Sequence, residues 1–220
     1  MYRARSAGTI LAAAALLALV GCAGVKPVPY SGLPSSQYLQ PNRSSDSGRI
    51  PYAYSSSAKW GNYAKAMVDP VEIYRGSDNQ FGDLADADKS ELAAYMQKTF
   101  AQKLATRFAP ATQPGAGTLR IKLTLTGAET TTPFLGQFTH FDLGGNIYNA
   151  IAASTGGKSA FGGSVSYAVE IYDSGSGRLL DAYITKQYPN AMNLTASFGS
   201  LAAARTGIDK GADALVNRLH

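Results

Sequence analysis

Cysteine, histidine and tryptophan are scarce in this sequence. Its 220 residues hold one Cys, two His and one Trp. A lone cysteine excludes an intrachain disulfide framework and any Cys-rich zinc site. Two histidines leave little for a His-based metal cluster, and no cofactor is expected. Charge is sparse too: only 16% of residues are Asp, Glu, Lys or Arg. The Lys and Arg form no basic run, so the net charge of +5 lacks the clustered footprint of a nucleic-acid binder. No apolar run reaches the roughly 20 residues of a spanning helix. What is plentiful is apolar side chain, at 45%. That suffices for a core and excludes wholesale disorder. The length suits one domain with a tail.

The tail is the most readable part. Arg3 and Arg5 precede an unbroken apolar run of eleven residues, Ile10 to Val20. A positive start before such a run is the pattern of an export signal. Without those two arginines the positive balance falls by two, so much of it serves targeting. The run closes as Leu19-Val20-Gly21-Cys22, which resembles the bacterial lipobox. Gly21 is small enough for a tight peptidase subsite, and the Cys22 thiol is the lipid acceptor. Residues 1–21 are expected to be a signal peptide, cut between Gly21 and Cys22. Acyl chains of the palmitate kind bury about 0.8 kcal/mol per CH₂ and would anchor a soluble domain firmly. Ala23 follows the cysteine. By resemblance to sorted lipoproteins, a residue other than Asp there implies the outer membrane, with the domain facing the periplasm.

Residues 22–49 carry Pro27, Pro29, Pro34, Pro41 and many serines, the composition of a tether. Tyr30, Leu33, Tyr38 and Leu39 are unusual for a linker, and part of the stretch is expected to lie against the domain. Residues 50–220 read as one domain. Ala64 to Tyr74 is strand-like but interrupted by Pro70, which implies an edge or a bulge. Asp88 to Phe108 is helical, with Leu92, Met96, Phe100 and Leu104 at helical spacing and Asp88 and Glu91 as capping partners. Thr118 to Thr126 alternates strictly, as a half-buried strand does. Val165 to Tyr172 and Leu179 to Tyr188 flank a Ser-Gly turn and read as a β-hairpin. Leu194 to Leu219 reads as a second long helix in which Gly207 and Gly211 weaken the helix or permit close packing. The expected fold is α+β: an antiparallel or mixed sheet, two long helices on one face, and a short Gly-flanked helical insertion.

That insertion, within residues 132–163, has few charges. Its apolar side chains Phe134, Phe138, Phe141, Ile147 and Ile151 either cover the sheet or touch a partner or membrane. Other motifs lead nowhere firm. Ala152 to Ser159 only loosely matches a phosphate-binding loop, with a helical stretch before it instead of a strand, so no nucleotide is expected. Asp78, Asp83, Asp86 and Asp88 fail the calcium-loop spacing. His140 has no nucleophile elbow near it. Glu72 and Glu170 would form an acid pair if they converged; as residues of a wet sheet face they would instead pair with Lys122 or Arg120.

The lipobox, Tyr30-Ser31-Gly32-Leu33, Tyr38-Leu39-Gln40-Pro41 and Val68-Asp69-Pro70-Val71-Glu72-Ile73-Tyr74 together resemble a bacterial lipoprotein family, domain of unknown function 3313. The likeness runs from about Tyr30 to the C-terminus. It implies an envelope location and supplies neither a reaction nor catalytic residues. The expected function is a lipid-anchored, non-enzymatic envelope module that binds or assembles with another envelope protein. The alternative is a periplasmic hydrolase using His140 or the Glu72/Glu170 pair. A small-ligand carrier is a third class and would need an apolar cavity.

Overall fold

The computed structural model describes residues 25–44, 46, 48–130, 163–188 and 201–220. Within them lie eight strands: β1 (Gln40–Pro41), β2 (Tyr52–Ser55), β3 (Lys65–Val68), β4 (Glu72–Ile73), β5 (Ala109–Pro110), β6 (Thr118–Glu129), β7 (Ser164–Asp173) and β8 (Leu179–Gln187). Two α-helices accompany them, α1 (Asp86–Leu104) and α2 (Ala202–Arg218). All eight strands belong to one sheet, ordered β1-β2-β8-β7-β6-β3-β5, with β4 also on β6. Strands β3 and β4 run parallel to β6, and β3 parallel to β5; the remaining pairs are antiparallel. The fold is α+β with a mixed sheet.

Strand β6 is the spine. Leu119, Ile121, Leu123 and Leu125 alternate along it and are buried. Pro70 splits the expected strand Ala64 to Tyr74 into β3 and β4, because it has no N–H to give the ladder. Both halves stay on β6: the Asp69 N–H donates to the Ile121 carbonyl and the Tyr74 N–H to the Leu125 carbonyl, each at 2.9 Å. Between them, the Val71 N–H turns to Gln97 Oε1 on α1 at 2.8 Å. Further along, a β-carbon on Gly127 would lie 2.6 Å from the Gln80 carbonyl oxygen, so only glycine lets residue 80 bridge to the strand.

Alternate residues of β7 enter two different clusters. Val165, Tyr167, Val169 and Ile171 pack with β6 and with Leu92, Met96 and Phe100 of α1 and Ile208, Ala212 and Leu215 of α2. Ala168 packs with Ala182 and Ile184 of β8 and with Tyr30, Leu33, Leu39 and Tyr74. The hairpin is thus buried on both sides, and in the strand expected to be half-buried, β6, Thr124 and Thr126 are buried as well. Polar residues on its second face signal a covering layer that binds through hydrogen bonds, not solvent.

Helix α1 starts at Asp86. Its N-cap is Ala85, with no side-chain cap, so the expected Asp88–Glu91 capping pair does not form. Glu91 instead pairs with Arg205 of α2. Gly207 and Gly211 let α2 press onto the sheet: a β-carbon at Gly207 would sit 2.9 Å from Val165 Cγ1. The N-terminal part of the expected second helix and the Gly-flanked insertion fall outside the described residues. Among those described, no helix is long and apolar enough to cross a membrane.

Candidate functional site

Several sequence candidates lie outside the described residues: Gly21 and Cys22, the phosphate-loop-like stretch, His140, and Phe134, Phe138, Phe141, Ile147 and Ile151. Glu72 and Glu170 are described. Register puts Glu72 opposite Thr124 and Glu170 opposite Lys122, on one face of the sheet. Glu72 is exposed and stands 3.8 Å from Lys122 Nζ. Glu170 is buried, and its Oε1 accepts the Ser35 backbone N–H at 2.8 Å. The two glutamates therefore serve different partners. The wet face expected at Glu170 is covered. Of the four aspartates considered for calcium, Asp78 accepts the Tyr74 hydroxyl at 2.7 Å and the Ser31 N–H at 3.1 Å. Asp86 accepts Lys89 Nζ at 2.9 Å. Among the described residues no group of His, Cys, Asp or Glu is placed to hold a metal ion.

What covers Glu170 is the Pro/Ser-rich stretch itself. Residues 25–41 form a strap across the second face of the sheet, with Val25, Tyr30, Leu33, Ser35 and Leu39 buried. Its fixings are mostly polar. The Gly32 N–H donates to the Tyr74 hydroxyl at 3.0 Å. The Tyr30 ring meets that of Tyr74 edge-on at 5.3 Å, and its hydroxyl lies 3.4 Å from Ser166 Oγ. Tyr30 adopts φ +45°, a left-handed conformation that costs a non-glycine residue about 1 kcal/mol and persists only where the surroundings impose it. Burial pushes the Tyr30 hydroxyl up. The Tyr172 hydroxyl is pushed up as well, first by burial and then by the charge of Glu170. Tyr30, Leu33 and Leu39 thus lie against the domain as their apolar side chains imply, while the backbone N–H donors of Gly32 and Ser35 that fix the stretch leave no trace in side-chain composition.

At the strap's beginning sits a tighter constellation. Glu129, at the end of β6, accepts the Val25 N–H on Oε1 at 2.7 Å. Its Oε2 accepts the Ser164 hydroxyl from the start of β7 and lies 3.5 Å from Lys186 Nζ near the end of β8. Lys186 donates in turn to the Val25 carbonyl at 2.6 Å. Burial opposes ionisation of Glu129, but the Ser164, Val25 and Lys186 donors outweigh it and hold the carboxyl below the usual range. Three strands and the first described residue are thereby joined at one end of the sheet. Nearby, Gln80 Nε2 donates to the Lys26 carbonyl.

Elsewhere on the sheet, Asp181 of β8 is buried against Arg218 of α2, with contacts of 3.0–3.2 Å. Burial raises the Asp181 carboxyl and Arg218 only partly offsets this. The same guanidinium lies 5.0 Å from the Tyr183 ring. This pair fixes a helix to the sheet.

A family model described as "Protein of unknown function (DUF3313)" matches residues 29–215. The chain belongs to that family. The matched stretch takes in most of the strap, all eight strands and most of α2. No curated protein matches the chain by sequence. Among solved structures, the PelC dodecamer from Paraburkholderia phytofirmans is 13% identical, with 73% of this chain and 94% of that chain covered and a TM-score of 0.39. A protein from Xanthomonas campestris assigned to DUF330 is 10% identical, with 70% and 82% covered and a TM-score of 0.34. A PDZ domain protein from Parabacteroides distasonis is 12% identical, with 76% and 33% covered and a TM-score of 0.33.

Proposed function

We propose that the chain is a lipid-anchored protein of the bacterial envelope, processed at Gly21–Cys22 and acylated on Cys22, and that it acts as a non-enzymatic binding or assembly module. It would reside at the outer membrane, with its domain in the periplasm. One observation carries this reading beyond the sequence motif. The packed fold takes in Val25, three residues after the cysteine, where Glu129 and Lys186 fix it. With Val25 fixed this close to Cys22, an acylated Cys22 would hold the folded domain tight against a bilayer. In this architecture the two long helices cover one face of the sheet and the strap covers the other.

The polar groups support a module rather than an enzyme. Glu170 holds the strap, Glu72 faces Lys122, Glu129 joins three strands, and Asp181 ties a helix to the sheet. Each acid is committed to holding one segment against another. A general acid or base needs a partner in the substrate instead.

The test is mass spectrometry of the protein recovered from its own membranes. The expected species begins at Cys22 and carries acyl chains, while Cys22→Ser carries none and is not cleaved. Recovery of the wild-type chain with its leader intact, or with a free Cys22 thiol, would overturn the proposal.

A further inference from the structure

We infer that the end of the sheet where β6 closes and β7 opens is the face laid against the bilayer, with phosphate-bearing lipid headgroups as its occupant. This rests on acylation of Cys22. Only Ala23 and Gly24 separate that cysteine from Val25, and an extended chain spans at most about 3.6 Å per residue. Val25 is therefore held within about 11 Å of the lipidated sulfur's backbone. Val25 is itself not free to swing, because Glu129 and Lys186 grip its N–H and its carbonyl at 2.7 and 2.6 Å. The strap acts as a clamp, and the leash is too short to let the domain tumble. Strand β7 then runs away from this end for ten residues, about 33 Å at strand rise. That places the turn after it well clear of the lipid.

The surface at this end has the chemistry of a headgroup contact. Lys26 is exposed. Arg49 extends across the end of β8, donating to Gln187 Oε1 at 3.0 Å and lying 4.1 Å from the centre of the Tyr188 ring. Lys210 of α2 is close enough to Arg49 that its ammonium is depressed, by burial first and then by that like charge. Glu129, at the end of β6, has its charge already engaged by Val25, Ser164 and Lys186; the neighbouring Thr130 is exposed and uncharged. Basic side chains next to a tyrosine whose ring is amphipathic suit the headgroup layer of an anionic membrane.

The test uses the full-length acylated protein in vesicles of phosphatidylethanolamine and phosphatidylglycerol with a headgroup-bound nitroxide quencher. A fluorophore is attached to Lys26→Cys or to Ser176→Cys, the latter in the turn after β7; acylated Cys22 offers no thiol to the dye. Flotation with the vesicles reports the anchor, and quenching reports the orientation. The expected result is flotation of both proteins, with several-fold stronger quenching at residue 26 than at residue 176. Flotation with equal or reversed quenching overturns the orientation alone. Failure to float, with an unmodified Cys22, overturns the anchor and the orientation with it.

Discussion

A β-carbon placed on Gly211 would lie 1.6 Å from the Tyr167 hydroxyl oxygen. The tyrosine is fully buried on β7, edge-on to Phe100 of α1 at 5.7 Å. It is the point where the sheet and both helices meet. Gly211 is present because α2 has no room for anything larger over that ring. Gly211→Ala is expected to lower the unfolding free energy by about 1–3 kcal/mol, the usual range for overpacking. Urea denaturation measures it. Adding Tyr167→Phe should recover part of the loss, since it removes the offending oxygen. An unchanged midpoint for the alanine variant would refute the packing account.

Helix and sheet were legible in the sequence where side chains on one face bury apolar surface. Leu119 to Leu125 and the stripe from Leu92 to Leu104 announce themselves by period alone. The split at Pro70 was half legible: proline forbids a continuous ladder, but nothing in the sequence shows that both halves rejoin the same strand. The strap was half legible: Tyr30 and Leu33 mark a stretch that lies against the domain, but nothing in the sequence names the face it covers. Glu170, Thr124 and Thr126 look like residues of a wet face, and their burial follows from a partner layer that contributes backbone donors. Glu129 was equally silent, because its three partners come from positions 25, 164 and 186. Such convergence is set by topology.

Removing the acceptor under the strap should loosen it without unfolding the domain. In Glu170→Ala the Ser35 N–H loses its partner inside the protein, at a cost of about 1–3 kcal/mol. Limited proteolysis is expected to cut the variant within residues 25–39 before the remainder. Equal protection of this stretch in the variant and the wild type would remove the strap's dependence on Glu170.

Acid should act on Glu129. Its carboxyl titrates lower in the folded chain than in the unfolded one. Its contribution is therefore complete above the ordinary Glu value of about 4.3 and fades as pH falls through the lower folded value. Thermal midpoints followed downward from neutral pH should fall less steeply for Glu129→Gln than for wild type, though the variant starts lower. Parallel curves would show that Glu129 carries no linkage.

The Asp181–Arg218 pair carries the opposite sign. Burial raises the Asp181 carboxyl, so ionising it opposes folding, and deleting its counter-ion makes that worse. Arg218→Ala should cost about 3 kcal/mol at neutral pH, because a buried charge is left without its partner. The loss should shrink on acidification, as Asp181 takes up a proton. Denaturation at two pH values tests this. Replacing both residues, Asp181→Leu with Arg218→Met, should be far milder than the single change.

The strap also sets an order of events. Its anchor points on Ser166, Glu170 and Lys186 lie 136, 135 and 161 residues downstream of the residues they hold. In a chain exported from its N-terminus, those points emerge late. If Cys22 is processed as proposed, cleavage and acylation have that interval in which to act. Residues 25–35 can be drawn onto the sheet only when the closing hairpin arrives, so the last step of folding at the N-terminal end waits for the C-terminal half of the chain.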